Sequence, residues 1–156
     1  MGLDQEVEIL RKIPLFANID SAKLKLMAFA SERLTFRPGE AVVRQGDPGD
    51  AAYVILDGTA DVVVKSPSGP LTVASLGRND IVGDIAILID IPRTATVVAT
   101  SELVTLKLTK QLFFQLVMDF PEMSIEIMRV LATRLEHTTA QLREALAGKQ
   151  GEPSRT

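Results

Sequence analysis

The chain has 156 residues, 46% of them apolar and 24% charged, with a formal net charge of −3. That length suits one well-packed domain rather than two, and the mixing of acids and bases along it argues against a nucleic-acid or anionic-membrane surface. With no cysteine and a single histidine, His137, the chain has no disulfide framework, thiolate metal site, iron–sulfur cluster or multi-histidine site, so neither a metal nor a cofactor is expected.

Residues 3–33 read as helical. Val7, Leu10 and Arg11 precede IPLFANID, where Pro14 breaks the pattern, and SAKLKLMAFASERL then places Leu24, Met27 and Ala28 at helical spacing. No apolar run approaches the roughly 18 residues a membrane span needs. The start, MGLDQEVEIL, lacks a signal-peptide form, so the cytoplasm is the expected location.

From Thr35 the texture changes. RPGE and GDPGD (residues 46–50) are turns, and EAVVR, AAYVILD, TADVVVK and LTVASL have strand composition between turn residues. TATVVAT and ELVTLKL add two more. Short strands every 8 to 12 residues or so suggest an antiparallel sandwich or barrel, not βαβ units. We therefore expect a β-barrel-like unit over 34–108 and C-terminal helices over 109–147. Pro121 and Glu122 would open the last helix, Gly148 would close it, and 148–156 would form a disordered tail.

The stretch VGDIAILIDIPRTATV, residues 82–97, interrupts the strand pattern. Gly83 permits a tight turn or close approach. A short helical turn starting there would direct backbone N–H groups at an anion. Arg93, just past Pro92, could reach back and clamp a phosphate bidentately. Asp84 would repel a phosphate beside it but suits the hydroxyls of a sugar. Singly, Gly-Asp is an ordinary turn and Arg after Pro an ordinary edge residue. Their joint spacing fits a ligand with one phosphate and one ribose.

That spacing resembles the phosphate-binding cassette of the cyclic nucleotide-binding domain family: Val82-Gly83-Asp84-Ile85-Ala86-Ile87-Leu88, then Pro92-Arg93-Thr94-Ala95-Thr96. IPLF, RPGE, GDPGDAAYVILDG and the closing helices extend the likeness over about residues 13–147. The resemblance implies an α+β fold, an antiparallel β-roll or jelly-roll-like barrel of about eight strands with flanking helices. It implies that Arg93 pairs with the cyclic phosphate and that the amides of Ala86 and Thr94 meet its exocyclic oxygens. Gly83 and Asp84 would hold the ribose 2′-hydroxyl, with Ile85 completing the cassette backbone. Two positions depart from the family pattern: Val82 stands for Phe, and Asp84 for Glu, one methylene shorter.

In the last helix Met128, Leu131, Leu135, Thr138, Leu142 and Ala145 recur at alternating spacings of three and four, a seam suited to a second copy. RLEHTTAQL resembles the long helix of catabolite-activator-type regulators. The likeness implies that Thr138 and Thr139 contact the base, one from each subunit, with Arg134 close to the ligand. The expected function is thus a sensor of cyclic AMP or cyclic GMP with no catalytic residues, and no direct nucleic-acid binding. The alternatives are a degenerate dimerisation or docking scaffold, or the sensor piece of a transcription factor, channel, kinase or cyclase. No nucleotide-hydrolase, metalloprotease or serine-hydrolase motif occurs.

Overall fold

The computed structural model describes residues 2–151. It opens with α1 (Leu3–Arg11), a 3-10 turn (Pro14–Phe16) and α2 (Ser21–Ala30). α1 buries Val7, Ile9 and Leu10. Pro14 then starts the 3-10 turn, which carries Leu15 and Phe16 into the core behind Ile13. α2 buries Leu24, Met27 and Ala28, the residues its periodicity marks.

The helical region expected over 3–33 is too long. α2 ends at Ala30, where Ser31 becomes extended and its hydroxyl donates to the Met27 carbonyl at 2.6 Å. Glu32–Phe36 form strand β1, paired antiparallel with β8 (Leu103–Thr109) from Glu32↔Lys107 to Phe36↔Leu103. A continuous sheet register outweighs the good helix propensity of Glu32, Arg33 and Leu34. The other strands are β2 (Ala41–Val43), β3 (Ala51–Asp57), β4 (Ala60–Ser66), β5 (Gly69–Leu76), β6 (Ile81–Val82) and β7 (Thr96–Ala99). They form two four-stranded antiparallel sheets, β1-β8-β3-β6 and β2-β7-β4-β5, which make the expected α+β roll.

β3 is apolar along nearly its whole length because it separates two cores. Ala51, Tyr53 and Ile55 face the interior of the roll with Val42, Val82, Val97 and Leu103. Ala52, Val54 and Leu56 face the other way, into a core shared with the helices. The two-residue period of a strand produces this division. The helical core is completed by α3 (Lys110–Asp119), through Phe113 and Leu116, and by α4 (Glu122–Gly151), through Met123 and Ile127. The Thr109 hydroxyl caps α3 by accepting from the Leu112 N–H at 3.1 Å.

Gly148 does not close α4, which continues to Gly151. One glycine inside a helix costs about 1 kcal/mol relative to alanine and does not by itself stop it. The rest of the expected tail lies outside the described residues. Among the described residues no helix is long and apolar enough to cross a membrane.

Candidate functional site

β6 is an edge strand of one sheet and β7 an inner strand of the other, so the chain between them crosses from one sheet to the other. Gly83 has φ of 75° there, a left-handed conformation that side chains resist. A 3-10 turn follows over Ile85–Ile87, with Asp84 as its N-cap residue. Its inward residue, Ile87, is fully buried in the helical core and anchors the turn. The turn is closed by the Ala86 N–H donating to the Gly83 carbonyl at 3.0 Å, and the Leu88 N–H to that of Ile85 at 2.9 Å.

The GDPGD turn holds the other end. The Arg93 N–H donates to the Asp47 carbonyl at 2.8 Å, and the Arg93 carbonyl accepts from the Gly46 N–H at 2.9 Å. Gly49 packs so closely that a Cβ there would lie 2.8 Å from the Cβ of Ala86 and 3.0 Å from the Ile91 carbonyl oxygen. Both ends of the cassette therefore rest on one turn.

The Arg93 side chain runs inward across Gly83, where a Cβ would collide with its Nη1. The residue is only 8% exposed. Nη2 donates to the Ala51 carbonyl at 2.6 Å, whereas Nη1 is buried with no hydrogen-bond partner among the described residues. A guanidinium removed from water with one carbonyl and no carboxylate against it is costly unless an anion completes its shell.

Two cavities meet at this arginine. One, of about 240 Å³, is lined by Gly83, Asp84, Ile85, Ala86 and Thr94 together with Arg93. The other, of about 220 Å³, shares Gly83, Arg93 and Thr94 and is walled by Val43, Val62, Leu76 and Val97. The pair offers a polar end and an apolar end. Larger grooves lie elsewhere, of about 600 Å³ beside Lys107 and Lys110 and about 690 Å³ beside Asp57 and Arg78. Size does not select the site; the buried guanidinium does.

The residues singled out in sequence separate into two groups. Gly83, Asp84, Ile85, Ala86, Arg93 and Thr94 come together around the polar cavity. Within it, the Ala86 N–H expected to meet a phosphate oxygen is instead engaged in closing the turn. The Asp84 carboxylate accepts from Arg134 Nη2 at 3.0 Å, their side chains 21% and 40% exposed, which ties the cassette to α4. Thr138 and Thr139 line neither cavity. Their hydroxyls donate to the carbonyls of Arg134 and Leu135, one turn back in their own helix, both at 2.9 Å. His137 lies on α4 within hydrogen-bond distance of Gln141, 3.2 Å away, and outside both cavities.

Sequence reasoning missed the Ala51 and Asp47 carbonyls, the close packing of Gly49 and the valine wall. GDPGD was legible as a turn, but nothing local said that it would sit under Arg93.

The sequence profile of the cyclic nucleotide-binding domain matches residues 33–120. A cAMP-dependent protein kinase regulatory subunit from Dictyostelium discoideum is 37% identical over 113 residues, covering 70% of this chain and 35% of that protein. The corresponding subunit from Yarrowia lipolytica is 36% identical over 107 residues, 69% of this chain and 28% of that protein. The chain thus spans about a third of the length of the curated relatives it matches. Among solved structures, the N-terminal domain of a transcriptional regulator from Streptomyces coelicolor A3(2) superposes with a TM-score of 0.80 at 30% identity, covering 83% of this chain and 94% of that one.

Proposed function

The chain belongs to the cyclic nucleotide-binding domain family, and on that premise we propose that it binds cyclic AMP or cyclic GMP at the Arg93 cassette. It relays occupancy through α4 and performs no catalysis of its own. The observation that carries this reading is Arg93, a buried guanidinium whose Nη1 has no partner among the described residues. A cyclic phosphate supplies the missing charge and acceptors. In this reading the Thr94 N–H donates to a phosphate oxygen, and the Ala86 N–H joins only as the Ile85–Ile87 turn opens. Ribose lies against Gly83, Asp84 and the Ile85 backbone, and the base against the Val43, Val62 and Val97 wall.

A ribose hydroxyl donating to Asp84 competes with Arg134 for the same carboxylate, which gives occupancy a direct mechanical link to α4. Thr138 and Thr139 meet the base only when α4 shifts over the cassette or when a second copy presents its own helix. The second possibility has support in the exposed Met128, Leu135 and Leu142, seven residues apart, with Leu131 between them at the edge of the core. The regulatory names of the relatives support a sensor role within a longer system.

Isothermal titration calorimetry tests the site. The wild-type chain should bind cyclic AMP or cyclic GMP saturably, and Arg93→Leu should bind neither while keeping its melting temperature. Full-strength binding by the variant, or no heat with either nucleotide in the wild type, would overturn the reading.

A further inference from the structure

Beside the Arg134–Asp84 pair, a separate cleft of about 500 Å³ opens between the Pro14–Phe16 turn and α4. Its polar lining is Arg129, Thr133, Arg134 and His137 from the helix and Asn18 from the chain opposite, with no carboxylate among the lining residues. At about 100° per residue, Arg129 and Arg134 stand roughly 140° apart around α4, with Thr133 and His137 between them. The basic groups therefore border one hollow rather than dispersing around the helix. Pro14, Ala17 and Val130 supply an apolar surface within it.

The carboxylates paired with the two arginines leave donors to spare. Glu126 meets Arg129 through Nη1 at 2.7 Å, and Asp84 meets Arg134 through Nη2 at 3.0 Å. Each contact occupies one nitrogen of a group that carries five N–H donors.

We propose that this cleft is a second ligand site, for a small organic phosphate. The phosphoryl group sits among Arg129, Arg134 and His137, where planar guanidinium forks match its oxygens. The organic part lies on Pro14, Ala17 and Val130. The volume falls within the roughly 300–1,000 Å³ of small-molecule sites. An anion drawn to Arg134 also competes with Asp84, so cleft and cassette influence each other reciprocally, a consequence that rests on the cassette reading.

Amide chemical-shift titrations of the full chain with phenyl phosphate and with inorganic phosphate, at constant ionic strength, test the proposal. Saturable shifts should centre on residues 14–18 and 129–137, with phenyl phosphate the tighter ligand. The double variant Arg129→Gln/His137→Gln changes only exposed side chains and should weaken phenyl phosphate about tenfold or more, the equivalent of one charge-assisted hydrogen bond. The shifts should persist in Arg93→Leu, so failure of the cassette and failure of the cleft are separately visible. Shifts centred on residues 83–94 and lost in Arg93→Leu, unchanged affinity in the double variant, or equal affinity for the two phosphates would each overturn it.

Discussion

Arg93 is held in place before any ligand contact is made. Its peptide is fixed by Asp47 and Gly46, its guanidinium by Ala51, and its path by the bare α-carbon of Gly83. Such preorganisation lowers the ordering cost of binding. Gly49 has a different part, because it lets the supporting turn approach Ala86 and Ile91. Gly49→Ala should destabilise the fold by about 1–3 kcal/mol through overpacking. It should also displace the cassette, so that nucleotide affinity falls; urea unfolding and calorimetry on the same variant check both effects. The cassette residues themselves were legible in sequence because their spacing is local. The Ala51 carbonyl was not, since 42 residues separate it from Arg93 and only the β3 register brings it there.

At the scale of elements, ion pairs attach the helices to the roll and to one another. The Glu6 carboxylate of α1 is fully buried and accepts from both Nε and Nη2 of Arg33 on β1. Arg33→Ala leaves that carboxylate buried and unpaired, at a cost of about 3–5 kcal/mol. Glu6→Gln should cost clearly less, because the charge it leaves without a partner, on Arg33, is half-exposed to water; urea unfolding of the two variants gives the comparison.

Lys23 of α2 pairs with Glu122 in the first turn of α4. The hydrogen bond from Lys23 holds the Glu122 carboxyl below its usual value of 4.5. The folded state therefore binds this proton less readily than the unfolded chain does. The stabilisation is complete above about pH 4.5 and fades as the pH falls toward the lowered value. Melting curves between pH 6 and pH 3.5 should show a shallower acid loss for Glu122→Gln than for the wild type, against a background set by the remaining carboxylates. Strand composition was readable for β2 to β5, β7 and β8. The switch from α2 to β1 was not, because Glu32, Arg33 and Leu34 are good helix formers and become extended only by pairing with β8.

For the whole molecule, α4 is the element that belongs to two environments. Its first turns pack Met123 and Ile127 into the helical core, and the remainder runs on with Leu135 68% exposed and Leu142 60% exposed. Thirty residues of helix extend about 45 Å. With that seam as the contact between two copies, sedimentation of the wild-type chain should show a concentration-dependent dimer. Leu135→Glu/Leu142→Glu should sediment as a monomer with an unchanged melting temperature at low concentration, because those side chains support nothing within one copy.

Two kinds of information met in this chain. Alternating strands, turn residues and the Gly83–Asp84–Arg93 spacing marked out the roll and the segment that folds across Arg93, because those signals are local in sequence. Only the tertiary structure decided which groups share space. It placed Ala51 against Arg93, Arg134 against Asp84 and GDPGD beneath the cassette, and left Thr138 and Thr139 outside it. Those meetings depend on strand register, on two cores back to back across β3 and on the direction of a long helix, none of which has a local signature.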